Sequence, residues 1–201
     1  MTAKIGVLAV QGAFIEHIQV LSSLGVECVE LRQAADLEQP LAELVLPGGE
    51  STVQGKLLRD LDMYAALRAK IVAGLPVLAT CAGMILLAEK LSNDDKVHFA
   101  TMPITVRRNA YGRQLGSFHA YGELETVGQV PMTFIRAPYV VSVEDGVEVL
   151  AQVDGRIVAV RYGSQLALAF HPELDADRQV HSLFTEMVEA YLHGSQQRHS
   201  A

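Results

Sequence analysis

Cys81 stands where the stretch Val77-Leu78-Ala79-Thr80-Cys81-Ala82-Gly83-Met84 changes character, and a thiol placed there is equipped for nucleophilic catalysis. Before it, Pro76 and a short apolar run predict a buried strand. After it, Gly83 opens a segment in which Met84, Leu87, Ala88 and Leu91 recur at helical spacing. The cysteine therefore falls on a tight strand-to-helix turn, with the small residues Ala79 and Gly83 on either side, as a nucleophile elbow requires. A helix N-terminus also favours thiolate over thiol. The alternative is a small buried hydrophobe, the usual fate of a free cysteine.

A thiol nucleophile needs a base, a group to orient that base, and donors for the oxyanion. His171-Pro172-Glu173 directly follows the apolar run Leu166-Ala167-Leu168-Ala169-Phe170, so it too sits at a strand end. Glu173 is two residues from His171 and reaches the same side of an extended backbone, where its carboxylate can fix the imidazole tautomer. The competing reading is a surface histidine and a helix-capping glutamate. Leu46-Pro47-Gly48-Gly49-Glu50-Ser51-Thr52 puts two glycines after another strand, and consecutive glycine N–H groups can turn toward one anion. An ordinary Gly-Gly turn is the alternative. The Gly-Lys-Ser/Thr ending of a phosphate loop is absent.

The elements that must carry these residues alternate. Lys4 to Val10 reads as a central parallel strand, and Ile15, Ile18, Leu21 and Leu24 mark a helix closed by Gly25. A strand from Val26 to Leu31 follows, then a loop or short helical turn from Asp36 to Pro40, and a third strand at Leu44-Val45-Leu46. Helices are predicted at Val53 to Leu58 and Met63 to Ala73, the second closed by Gly74 before the strand into Cys81. From Ile104 the texture changes to short β-rich runs at Ile104-Thr105-Val106, Met132 to Ile135, Val147 to Leu150 and Ile157 to Val160, with Asp154-Gly155 as a hairpin signal. A last helix carries Val180, Leu183, Phe184, Met187, Val188 and Tyr191 on one face. The expected fold is α/β: a doubly wound, mostly parallel sheet flanked by helices, with extra short strands in the C-terminal half. Its ligand site lies beyond the C-terminal strand ends. One domain is expected over residues 1–193, with a polar tail over 194–201.

Composition bounds the function. The 201 residues are 50% hydrophobic and 19% charged, enough for one substantial core. A net charge of -7, a pI near 5.5 and no Lys/Arg run argue against a nucleic-acid surface. No apolar run is long enough to span a bilayer and no signal peptide is recognised, so a cytoplasmic protein is expected. The two cysteines, Cys28 and Cys81, form neither a disulfide framework nor a paired-cysteine metal pattern, and Cys28 in Val26-Glu27-Cys28-Val29-Glu30 reads as structural. His17 and His119 make no metal-ligand spacing with them. No metal and no cofactor is expected.

Taken together, Leu46 to Thr52, Thr80-Cys81-Ala82-Gly83 and Phe170-His171-Pro172-Glu173-Leu174 resemble, in chain order, the three signatures of class I glutamine amidotransferases. Val7 to Gly12 with Glu16-His17, Arg108 to Gln114, and Phe134 to Pro138 resemble more narrowly the glutaminase subunits of pyridoxal 5′-phosphate synthases. The likeness runs from about Lys4 to Leu192; Ala79 departs from it slightly, since many relatives have glycine there. The resemblance implies hydrolysis of L-glutamine to glutamate and ammonia, with Cys81 as nucleophile, His171 as proton carrier and Glu173 holding His171. It also implies that Gly48, Gly49, Glu50, Arg108, Ile135 and Arg136 bind glutamine or its oxyanion; without it, Arg108 reads as a solvated strand-edge charge. The implied partner is a separate synthase subunit that uses the ammonia. Its docking near Gln11-Gly12 and the first helix is expected to flip the Gly48–Gly49 peptide from a resting orientation with its N–H turned away from the oxyanion. Two rivals are a DJ-1/PfpI-like cysteine hydrolase or stress chaperone, and a non-catalytic subunit that keeps the fold.

Overall fold

The structure is a computed structural model, and it describes residues 4–110 and 116–187. The chain opens with β1 (Lys4–Leu8), α1 (Phe14–Ser23), β2 (Cys28–Leu31), a 3₁₀ turn (Ala34–Leu37) and β3 (Leu41–Leu46). It continues with α2 (Ser51–Asp60), α3 (Tyr64–Val72), β4 (Val77–Thr80), α4 (Ala82–Leu87) and β5 (Ala88–Leu91). Then come β6 (Met102–Arg107), β7 (Ser117–Leu124), β8 (Gly128–Ile135), β9 (Tyr139–Val143), β10 (Glu148–Val153), β11 (Arg156–Tyr162) and β12 (Gln165–Leu168). A 3₁₀ turn (Pro172–Leu174) and a helix α5 over 179–187 complete the described chain.

The main sheet runs β2-β1-β3-β4-β12-β11-β9-β6-β5, with β10 added to β11. From β2 to β12 every pairing is parallel, and β1, β3, β4 and β12 read as unbroken apolar runs because both faces are covered. Leu8, Leu44, Leu46, Leu78, Ala79, Leu166, Leu168 and Phe170 are fully buried in this part. Each large side chain among them contributes roughly 1.5–3 kcal/mol by leaving water. α1 packs on β1 and β2, while α4 packs on β3, β4 and β12 and against α2. β4 and β12 lie side by side with Thr80 opposite Leu168, so the chain leaves both strands at one edge, toward Cys81 and His171.

Beyond β12 the pairings β11–β12, β9–β11 and β6–β9 are antiparallel, and β7 and β8 form a separate ribbon. The turn Asp154-Gly155 joins β10 to β11 with φ of 50° and 72° at its two residues, the conformation a two-residue hairpin of matching twist demands. β7 and β9 have no counterpart among the sequence-based strands.

One expectation fails. The helix after Cys81 stops at Leu87, and Ala88–Leu91 is strand β5, paired with β6. Every residue of α4 is buried, so Met84 and Leu87 do not mark one face of a longer amphipathic helix. The Leu86 and Leu87 carbonyls instead accept N–H bonds from Phe99 and Thr101, which turn the chain into the sheet edge. Among the other expected features, the tripeptide 1–3, Tyr111 to Gln114, Val188, Tyr191 and the 194–201 tail lie outside the described residues.

Candidate active site

Cys81 adopts φ 48° and ψ -99°, a conformation that only a tightly determined turn holds in a non-glycine residue. Such backbone costs on the order of 1–3 kcal/mol and concentrates where geometry serves chemistry. Its N–H donates to the Leu168 carbonyl at 2.7 Å, fixing the elbow to the end of β12. Gly83 is required for a reason the sequence did not show: a Cβ there would drive into the Leu46 carbonyl, so the glycine permits α4 to lie against β3. The Cys81 thiol lies 3.9 Å from the Ile135 carbonyl, within range of a weak S–H bond.

His171 Nδ1 lies 2.7 Å from Glu173 Oε1. That contact leaves the other ring nitrogen free to serve the Cys81 thiol, which lines the same cavity. Burial opposes charge on His171, yet the bonds and negative potential from Cys81 and Glu173 outweigh it and raise its pKa to about 10. Burial alone would push the Glu173 carboxyl up; the fields of His17 and His171 and the His171 bond hold it below the usual range. Imidazolium and carboxylate thus form a mutually stabilised pair beside the Cys81 sulfur.

Gly48 sits directly against the His171 ring, where any Cβ would collide with the imidazole. Its N–H donates to Thr80 Oγ1 at 2.9 Å, and its carbonyl accepts the Ala13 N–H at 3.0 Å. The Glu50 N–H donates to Gln11 Oε1 at 2.8 Å, and Gln54 Nε2 donates to the Gln11 and Pro47 carbonyls. The glycine loop is thereby laced to the turn that leads into α1.

Gln11, Gly49, Glu50, Ser51, Cys81, Ile85, Arg108, Asn109, Ile135, Arg136 and His171 line one cavity of about 180 Å³. Cys81, His171, Gly49, Glu50, Arg108, Ile135 and Arg136, all expected from sequence, meet there, with Gly48 and Glu173 immediately behind. Gln11, Ser51, Ile85 and Asn109 were not among the expected binding residues. Ser51 left a usable signal, a hydroxyl at a helix start after a glycine loop, and its buried Oγ has no partner within the protein. Asn109 and Arg136 also have positive φ, 48° and 43°, so three wall residues of the cavity are held in left-handed backbone. Arg108 is neither solvated nor free: it meets Asp94 at 2.5 Å, and Glu50 and Thr52 at 3.1 Å.

Known proteins resemble this chain over most of its length. Residues 7–190 match the SNO glutamine amidotransferase family. A protein of Desulfitobacterium hafniense strain Y51 called pyridoxal 5′-phosphate synthase subunit PdxT is 63% identical over 185 residues, covering 92% of this chain and 93% of its own. A like-named protein of Streptococcus pneumoniae strain CGSP14 is 54% identical, covering 92% and 96%. The crystal structure of a glutamine amidotransferase superposes with a TM-score of 0.87 at 41% identity, covering 92% of this chain and 98% of its own. A chain from the structure of PurLQS from Thermotoga maritima, 15% identical with a TM-score of 0.70 and matched over 96% of this chain and 100% of its own, shares the fold. These likenesses set aside the DJ-1/PfpI reading: by its match over residues 7–190 and its curated relatives, the chain belongs to the SNO glutamine amidotransferase family.

Proposed function

We propose that this chain hydrolyses L-glutamine to glutamate and ammonia at Cys81 and delivers the ammonia to a separate synthase subunit that makes pyridoxal 5′-phosphate. The observation that carries the chemistry is the strained elbow of Cys81 facing a buried His171–Glu173 pair in a cavity large enough for a small metabolite. The Cys81 sulfur attacks the side-chain amide carbon, and the carbonyl π pair moves onto oxygen. With the Gly48 N–H committed to Thr80, the Gly49 N–H is the loop donor left for that oxyanion. The C–N bond then breaks, the amide nitrogen takes the proton held by His171, and ammonia leaves a γ-glutamyl thioester. Water attacks the thioester, His171 takes its proton, and glutamate departs as the thiol is restored. At the rim, Arg108 is suited to the substrate carboxylate and Glu50 to its ammonium group, with Arg136 and Ile135 closing the wall.

The relatives' shared name supports the synthase partnership. Docking on α1 has a direct route to the oxyanion loop, since Ala13, which precedes α1, donates to the Gly48 carbonyl. A flip of the Gly48–Gly49 peptide exchanges that bond, and a tenfold change in activity needs only about 1.4 kcal/mol of differential binding. No described helix is long and apolar enough to cross a membrane. The cytoplasm, expected from the sequence, is kept as the compartment of this proposal. The test is mass analysis after incubation with a glutamine-like diazoketone, beside an ammonia assay with and without the synthase subunit. One adduct on Cys81 and ammonia release that rises with the synthase are expected. An unlabelled Cys81 defeats the glutaminase reading, and a kcat independent of the synthase defeats the gating.

A further inference from the structure

His17, on α1, is a histidine that the hydrolysis above does not use, and it is completely buried. Its Nδ1 lies 3.0 Å from His181 Nε2 of α5. Its Nε2 lies 3.1 Å from Thr80 Oγ1 and 3.3 Å from Glu173 Oε2. The approach to Glu173 does not complete a hydrogen bond, and Oε2 has no hydrogen-bond partner in the protein. Thr80 Oγ1 in turn receives the Gly48 N–H. One imidazole thus touches both the carboxylate behind the triad and the hydroxyl that anchors the oxyanion loop.

The proton positions follow from the partners. Two neutral histidines 3.0 Å apart require one N–H and one lone pair between them. A lone pair on His17 Nε2 would face the carboxylate at 3.3 Å, whereas an N–H there attracts it. With Nε2 protonated, His17 Nδ1 accepts from His181 Nε2–H, and His181 Nδ1 is left as an unpaired acceptor, less costly than an unpaired buried donor. Burial, together with the neighbouring histidines, keeps both rings neutral: the His17 pKa is lowered and that of His181 falls to about 3.

We infer that His17 is a positioning residue of the glutaminase: its Nε2–H, anchored on Thr80 Oγ1, lies beside the second oxygen of Glu173 at 3.3 Å, and its dipole keeps that carboxylate ionised and oriented while the charge on His171 turns over. The inference rests on the assignment of Cys81, His171 and Glu173 made above. When His171 gives up its proton, Glu173 keeps a neutral Nδ1–H on Oε1 but becomes a buried carboxylate without a charged partner. The chain itself shows what that entails: Glu43, equally buried and without such partners, has its carboxyl pushed up to about 8 by burial. A neutral donor on Oε2 counters this shift at the step where it arises. The titratable groups around Glu173 are His171 from its own turn, His17 from α1 and His181 from α5, with Glu16 acting on His17 and Arg178 on His181. Among these neighbours, only His17 reaches Oε2.

The experiment measures the rate of Cys81 labelling by the diazoketone across pH 5 to 9, a readout that needs no synthase. In the parent, Glu173 stays ionised to low pH and the acid limb lies low. His17→Phe removes the donor, Glu173 takes its proton at higher pH, and the acid limb moves up by about one unit or more, with slower labelling at neutral pH. His17→Gln, whose amide N–H can replace Nε2–H, retains most of the parent limb. His181→Phe, which frees the His17 tautomer without removing a group that contacts a Glu173 oxygen, gives a smaller shift in the same direction and decides the matter if His17→Phe does not fold. Loss of melting temperature with superimposable limbs in the folding variants reduces His17 to packing and overturns the inference. A parent that takes no label at Cys81 overturns the glutaminase assignment instead.

Discussion

At the floor of the cavity Cys81, His171 and Glu173 are only 7%, 6% and 6% exposed, whereas at its rim Ile135 and Arg136 are exposed and Glu50 and Arg108 half-buried. The floor is assembled by the parallel sheet, where β4 and β12 end together. The rim comes from the helix after the glycine loop and from the ends of β6 and β8, in the antiparallel half. The floor's charges await only a substrate amide. The rim's charges already satisfy one another, Arg108 against Glu50 and Asp94, so glutamine must exchange for an ion pair. Changes at the floor should therefore act on kcat, and changes at the rim on KM.

The largest effect belongs to Cys81→Ala, expected to abolish glutamine hydrolysis while the fold persists, since the thiol stands at an elbow. Circular dichroism with an ammonia assay checks both halves, and parent-like turnover would break the floor assignment. His171→Asn should come next, a loss of roughly 10⁴-fold or more in kcat, and Glu173→Ala should lose less, because orienting a base matters less than being one. Equal losses in KM and none in kcat would place these residues with the rim.

The pH profile sharpens the same contrast. The His171 pKa stands at about 10, above the ordinary 6.5, so the stabilisation from its paired charge is fully present below about 6.5. That contribution fades as pH rises through about 10. The alkaline limb of kcat/KM should accordingly lie well above neutrality, as the imidazolium loses the proton that the leaving ammonia needs. A limb centred near 7 would show that the pair is not preformed.

The floor was far more legible in the sequence than the rim. Cys81, His171 and Gly48-Gly49 each follow an apolar run directly, and a strand end fixes position without reference to distant chain. Arg108 is legible only by family likeness, because its partner Asp94 comes from the loop after β5, a strand hidden by the helical spacing of Ala88 and Leu91. His17 stands in a stretch of family likeness and, in the sequence, bears only on metal-ligand spacing; its role stays hidden because its partners Thr80, Glu173 and His181 are 63 to 164 residues away. β7 and β9 escaped for a similar reason: β7 alternates half-buried and exposed residues, and its inner face is defined only by pairing with β8.

Arg108→Ala should chiefly raise KM for glutamine. A hydrogen bond to a charged group contributes on the order of 1.5–3 kcal/mol, about 10- to 150-fold in KM. Steady-state kinetics with kcat within about threefold of the parent is the expected outcome. An unchanged KM would mean that the guanidinium serves only its ion pairs.

Asp94→Asn carries the smallest effect and the sharpest question, whether the rim ion pair prepares Arg108 or competes for it. Asn93 accepts the Arg108 N–H through Oδ1 at 3.0 Å and donates to its carbonyl through Nδ2 at 3.1 Å, so the backbone is fixed without Asp94. Glu50 and Thr52 hold the guanidinium through Nη2, while Asp94 occupies Nη1. A substrate carboxylate bound in fork geometry needs both nitrogens, and Asp94 stands on one of them. Asparagine at 94 keeps the size and the oxygen that accepts the Lys96 N–H, but removes the competing charge. An exposed ion pair is screened by solvent and contributes little, so KM should fall only by roughly a few fold with kcat unchanged. A KM that rises instead would show that Asp94 aims the guanidinium, and that the rim is prepared in advance as the floor is.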